Sequence, residues 1–221
     1  MTTFIWKVDD FSCTDLFRMT KKVSHQAEFV NGRFYHVYNR TVGKELLFAT
    51  DENFRFFLQQ YTKYTQPYVE TWAYCLLPDH FHFLIRIKEN EDSKLNSEVG
   101  IDHLFISRQF RKFFQSYVMA FNKQESRHGT LLCTPFKRIE VGSDEYLKRL
   151  IYYIHANPQK HGYVPDFRIW KWSSYMAMNS NANTLLQRAA VLELFDGPAS
   201  FLKEHEEFRD ALVNETLQLE E

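Results

Sequence analysis

Apolar residues recur at two spacings along this chain, and the switches between them predict the order of its elements. Residues 32–40 (GRFYHVYNR) are aromatic, β-branched and roughly alternating, which predicts a strand. Asp51 then reads as an N-cap, and Phe54, Phe57, Leu58, Tyr61 and Tyr64 return at helical intervals, predicting a helix over about 51–64. Tyr68–Leu77 and His80–Ile87 are strand-like and flank a Pro78-Asp79 turn, so they should form a hairpin. A polar loop over 89–100 leads into a second helical pattern from Ile101 to about Gln124, carried by Leu104, Phe110, Phe113, Phe114, Tyr117 and Phe121. Phe136–Val141 predicts another strand. Ser143 caps a further helix, which Pro158 and Gly162 should stop at Asn157. Trp170, Trp172 and Tyr175 mark a packed exit segment. Residues 185–213 form one or two helices broken at Asp196-Gly197-Pro198. The order β α β β α β α fits an α+β fold with a mainly antiparallel sheet packed with helices. Three segments follow: a polar lead-in (1–30), a central domain (31–175) and an acidic helical C-terminal extension (176–221).

Composition narrows the class. At 221 residues, with 44% hydrophobic and 17% aromatic residues and only 7 Gly and 6 Pro, the chain is globular rather than disordered or collagen-like. Three widely spaced cysteines, Cys13, Cys75 and Cys133, make neither a disulfide framework nor a zinc pattern, which points to a reducing cytoplasm. No apolar run reaches the length of a membrane span, and the first eleven residues lack the basic start of a signal peptide. The net charge of −1 conceals a division. Residues 103–175 carry 12 Lys and Arg against 5 Asp and Glu, whereas residues 176–221 carry 3 against 9. A basic, aromatic-rich middle suits a polyanion such as nucleic acid. The acidic tail cannot bind one, and docked on the basic middle it would act as an autoinhibitory cover.

Candidate chemistry lies at two places. On the strand from His80, alternation puts Phe81, Phe83, Ile85 and Ile87 on one face and His80, His82, Leu84 and Arg86 on the other. Two imidazoles two residues apart can converge on one divalent ion, although two unrelated histidines would give the same string. On the helix from Ser143, Leu147, Leu150, Ile151 and Ile154 form the buried stripe. Tyr146, Tyr153 and Asn157 line one flank of it, while Tyr152 points to the other, near Lys148 and His155.

Several stretches together resemble a known family. His80-Phe81-His82 resembles the HUH motif (His, a hydrophobic residue, His), and Tyr153-Ile154-His155-Ala156-Asn157-Pro158-Gln159-Lys160-His161-Gly162 resembles the catalytic-tyrosine helix of single-tyrosine HUH transposases. Tyr35-His36-Val37-Tyr38-Asn39-Arg40, Leu76-Leu77-Pro78-Asp79-His80 and Trp170-Lys171-Trp172-Ser173-Ser174-Tyr175 match in the same order. The most similar group is that of the insertion-sequence and REP-associated tyrosine transposases, and the resemblance spans about residues 30–175. It implies a ferredoxin-like HUH fold and metal-dependent cleavage and strand transfer of single-stranded DNA through a 5′-phosphotyrosine. It also implies Tyr153 as nucleophile and His80, His82 and Asn157 as ligands of Mg²⁺ or Mn²⁺. Single-stranded or hairpin DNA would be the partner, and a homodimer is compatible with it.

A phenol with pKa about 10 is a poor nucleophile at neutral pH, so help from a cation is chemically sensible. Candidate DNA contacts are Arg40, Arg86, Arg108, Arg111, Lys112, Lys137 and Arg138. Two other readings remain: a domesticated hairpin-DNA-binding protein that no longer cuts, and a phosphodiesterase that uses water.

Overall fold

A computed structural model of the chain describes residues 25–89 and 103–218, and of 210–218 it describes the backbone alone. Four strands, β1 (Phe34–Arg40), β2 (Val69–Leu77), β3 (His80–Ile87) and β4 (Lys137–Val141), form one sheet in the order β2-β3-β1-β4. Every pairing between them is antiparallel. Helices α1 (Asp51–Thr65) and α2 (His103–Gln124) cover one face. Helix α3 (Asp144–Lys160) covers the other, together with α4 (Tyr175–Met178), α5 (Arg188–Leu194) and α6 (Pro198–Gln218). The α+β fold with an antiparallel sheet is thus the one the periodicity predicts. Cys13 and most of the lead-in lie outside the described residues.

The two faces of the sheet are filled as strand alternation requires. Phe81, Phe83, Ile85 and Ile87 enter the core beneath α1 and α2, where Tyr61 stacks on Phe83 at 4.2 Å and Phe57 meets Phe81 at 5.1 Å. Leu84 turns to the opposite core with Leu147, Leu150, Ile151 and Ile154 of α3. Each aromatic buried this way contributes on the order of 2–3 kcal/mol by area alone, so the sheet is pinned from both sides and its register with it.

Two local expectations are corrected, and a third holds. Thr50, not Asp51, caps α1: the Thr50 N–H donates to Asn53 Oδ1 at 2.9 Å, leaving Asp51 inside the first turn. Helix α3 continues through Pro158 to Lys160. A proline in the last turn removes only one ladder bond, and the Pro158 carbonyl still accepts from Tyr163 N at 2.8 Å. Ser143 does cap α3, accepting from Tyr146 N at 3.3 Å.

Among the described residues the acidic extension packs on the α3 part of the basic middle and does not reach α2. Val191, Phe195 and Phe201 are fully buried in the core of the α3 side, with the sheet between them and α2. Among the described residues its charges meet the basic segment in pairs such as Lys148–Asp196 (3.6 Å) and Arg168–Glu206 (3.5 Å). Apolar area, not charge, holds it, because solvent-exposed ion pairs contribute little. Asp196 (φ 60°) and Gly197 (φ 111°) make the predicted break between α5 and α6.

Candidate active site

Antiparallel pairing of β1 with β3 sets Tyr38 opposite His82 and Arg40 opposite His80. Directly paired residues share a face of the sheet, so His36, Tyr38 and Arg40 join His80 and His82 beneath α3. Lys137 of β4, opposite Tyr38, completes the row. From above, Tyr153, Asn157 and His161 descend at four-residue steps along one stripe of α3 and its C-cap. The Tyr153 ring stands edge-on to His82 at 5.5 Å, and the His161 ring meets His80 at 4.8 Å. Asn157 falls between these two contacts and therefore faces the histidine pair.

Each of the two β3 imidazoles is held at Nδ1. His80 Nδ1 donates to Asp79 Oδ1 at 2.7 Å, and His82 Nδ1 lies 2.9 Å from His36 Nε2 inside the protein. Among the described residues neither Nε2 makes a hydrogen bond. This is how metal-binding histidines are commonly oriented, one ring nitrogen anchored and the other presented. The tautomers follow. For His82 Nε2 to present a lone pair, its proton must sit on Nδ1 and be donated to His36, which then carries its own proton on Nδ1. That His36 Nδ1 is buried without a partner. Burial lowers the His36 pKa to about 3 and holds His82 well below its ordinary value, with the neighbouring His36, His80 and His161 adding to the depression. Both rings are neutral at physiological pH, as ligation requires.

Asn157 is fully buried. Its Nδ2 donates to the Tyr153 carbonyl at 2.6 Å, while Oδ1 is buried with no partner. An orphaned amide oxygen facing two anchored imidazoles fits a loosely selective divalent cation such as Mg²⁺ or Mn²⁺. Among the described residues no three His, Cys, Asp or Glu side chains converge as a metal cage.

Tyr153 and Tyr152 go to different places. Tyr153 is 9% exposed on the histidine side, with Lys160 Nζ 5.8 Å from its ring centroid. Tyr152 faces away, its hydroxyl donating to Glu204 and its ring against Phe195 and Phe208. Burial first, and then the Glu204 carboxylate, raise the Tyr152 pKa far above that of a free phenol, so Tyr152 is anchored as a neutral phenol.

The candidate DNA contacts divide by location. Arg40 is exposed beside His80, and Lys137 lies over the Tyr38 ring at 5.7 Å. Arg86 occupies the far end of β3, paired with Glu70 (3.4 Å) and Glu89 (2.7 Å). Arg108, Arg111 and Lys112 are exposed on α2, on the other side of the sheet from Tyr153. Arg138 is 8% exposed; its Nε donates to the Ala27 carbonyl at 2.7 Å and its guanidinium lies over Phe29 and Phe136. Burial lowers its pKa, and Arg138 secures the chain before β1.

Sequence reasoning did not single out His36, Asp79, Lys160, His161 or Tyr163 for the site. The one local signal was spacing: Lys160 and His161 stand seven and eight residues after Tyr153, on its flank of the helix.

A Haemophilus influenzae protein named as a REP-associated tyrosine transposase is 33% identical over 108 residues, which cover 48% of this chain and 58% of the relative. The match thus spans little more than half of that relative's length. A solved structure of a REP-associated tyrosine transposase bound to a REP hairpin superposes with a TM-score of 0.57 at 15% identity, covering 74% of this chain and 93% of that one. At such identity the likeness establishes the fold. No family model matches the chain. Among the described residues no helix is long and apolar enough to cross a membrane.

Proposed function

We propose that this chain, for which motifs, relative and fold together support the single-tyrosine HUH transposase family, cuts and rejoins single-stranded DNA through Tyr153. The phenolic oxygen of Tyr153 attacks a backbone phosphorus as the phenol loses its proton. The bond from phosphorus to the 3′ oxygen breaks, and that oxygen leaves as a 3′-hydroxyl once protonated. The DNA stays attached through a 5′-phosphotyrosine, and attack by a 3′-hydroxyl reverses the reaction on the same or another strand. No nucleotide is hydrolysed and bond energy is conserved in the ester.

Within this reading His80 Nε2, His82 Nε2 and Asn157 Oδ1 hold a divalent cation, Mg²⁺ or Mn²⁺. Bound there, the cation would polarise the phosphoryl group and offset developing charge. Asp79 and His36 keep the two imidazoles oriented. Arg40 and Lys137 bind flanking phosphates electrostatically, and Lys160 stays near the phosphate once it is esterified to Tyr153. The nucleophile and all three ligands come from one chain, so the reaction needs no exchange of α3 with a second subunit. By the same analogy, hairpin DNA is the proposed partner.

The observation that carries this reading is the Tyr153 ring lying 5.5 Å from His82 with the orphaned Asn157 oxygen one turn further along. The test is a denaturing gel of wild type, Tyr153→Phe and Tyr152→Phe with labelled single-stranded DNA from the flanks of its own gene, with Mn²⁺ or with EDTA. A metal-dependent covalent adduct lost only in Tyr153→Phe supports it. An adduct that persists in Tyr153→Phe refutes the nucleophile. Bound DNA with no adduct in any lane points instead to a binder that does not cut.

A further inference from the structure

Where α3 ends, Gly162 (φ 71°) turns the chain and Tyr163 comes to rest on the rim of the site. Its ring is 39% exposed, yet its hydroxyl is not free: it donates to Asp79 Oδ1 at 3.1 Å, the same oxygen that accepts from His80 Nδ1. On one side the ring packs near-parallel to Trp170 at 6.1 Å, and Trp170 is itself fastened by its indole N–H to the Leu76 carbonyl at 2.9 Å. His161 lies between, 6.4 Å from Tyr163 and 4.8 Å from His80. A row of rings thus leads outward from His80, with the exposed Arg40 on the strand end beside it.

We infer that Tyr163 is the stacking platform for an unpaired base adjacent to the phosphate attacked by Tyr153, an inference that rests on the proposed DNA chemistry. A solvent-exposed aromatic that is already fixed loses little side-chain entropy when a base stacks on it. The hydroxyl bond to Asp79 and the packing on Trp170 supply that rigidity. Burial and the Asp79 charge raise the Tyr163 pKa to about 12, so the phenol keeps the proton it donates. Because Asp79 anchors both Tyr163 and His80, a base on this ring is held at a set offset from the ligand, and its phosphate is registered on the nucleophile. Every base has a π-face, so the platform sets position without demanding sequence.

The test uses single-stranded oligonucleotides from the flanks of the chain's own gene, with 2-aminopurine stepped through the unpaired positions. Binding is followed in EDTA so that no strand is cut. For wild type, one position should show strongly quenched emission. Tyr163→Ala should restore that emission and weaken binding about tenfold, the usual scale for one stacked base. Tyr163→Phe should keep the quenching and most of the affinity, because the ring face and its packing on Trp170 remain. If Tyr163→Ala binds and quenches as wild type does, the inference is wrong and the proposed function stands. If Tyr163→Phe loses as much as Tyr163→Ala, the hydroxyl bond rather than the ring is responsible, which also overturns it. Failure of wild type to bind any oligonucleotide would overturn both.

Discussion

His36 and His82, 46 residues apart, are joined ring to ring by a 2.9 Å hydrogen bond in the interior between the sheet and α3. One ring donates and the other accepts, so the bond holds unless both rings are protonated. It aims His82 Nε2 toward Tyr153 and Asn157, and it sets what substitution at His36 should do. In His36→Ala, His82 loses its anchor and turns more freely. The expected outcome is a 10–100-fold loss of Mn²⁺ affinity, read by titration calorimetry or by the electron paramagnetic resonance of free Mn²⁺. Unchanged affinity would mean that His36 does not orient the ligand.

A second histidine pair reports on the extension. His155 Nδ1 lies 2.9 Å from His205 Nε2, and His155 Nε2 lies 2.8 Å from Ser174 Oγ. Burial pushes the His205 pKa down to about 3 and holds His155 well below its ordinary value. The unfolded chain therefore takes up protons near pH 6.5 that the folded chain refuses. This contribution to stability is complete above about pH 6.5 and declines as pH falls from there toward 3. At pH 5.5 each such group should cost about 1 kcal/mol relative to pH 7.5. Urea midpoints at the two pH values test it, and equal midpoints would contradict it.

Removing apolar contact from the extension should unfold the α3 side of the sheet rather than release it. Phe201 is fully buried against Phe195, Tyr175 and His155. Phe201→Ala should cost about 3–5 kcal/mol, measured by chemical denaturation. A truncation before α5 that stayed folded and bound DNA more tightly would restore the autoinhibitory reading.

Arg40 and Arg138 should separate in their effects. Arg40→Ala should lower the slope of log affinity against log salt by about 1, as for loss of one phosphate contact. Arg138→Ala should leave that slope unchanged and reduce stability, since its guanidinium serves Ala27 and two aromatic rings. Salt titrations of DNA binding alongside thermal melts distinguish them.

Tyr152→Phe removes one hydroxyl from a partly buried bond to Glu204. About 1 kcal/mol of stability should be lost, with covalent adduct formation retained. Loss of the adduct in Tyr152→Phe alone would exchange the roles of the two tyrosines.

The periodicities of strand and helix are local, and what depends on them could be read directly. The element order, the division of β3 between Phe81–Phe83 and His80–His82, and the opposite headings of Tyr152 and Tyr153 all follow from residues within a few positions of one another. The Ser143 cap and the break at Asp196-Gly197 are legible for the same reason. Strand order and register are not local. They alone bring His36 beside His82 and carry Arg40 to His80. Folding of the chain after α3 brings Tyr163 back to Asp79 across 84 residues. The sheet's two-sidedness decided the rest. Arg108, Arg111 and Lys112 read as candidate DNA contacts beside Arg40 and Lys137, yet the sheet separates them from α3 and Tyr153. The acidic extension reads by its charge as a cover docked on the basic middle, yet a few apolar residues among the acids, Val191, Phe195 and Phe201, make it one wall of the core that supports α3.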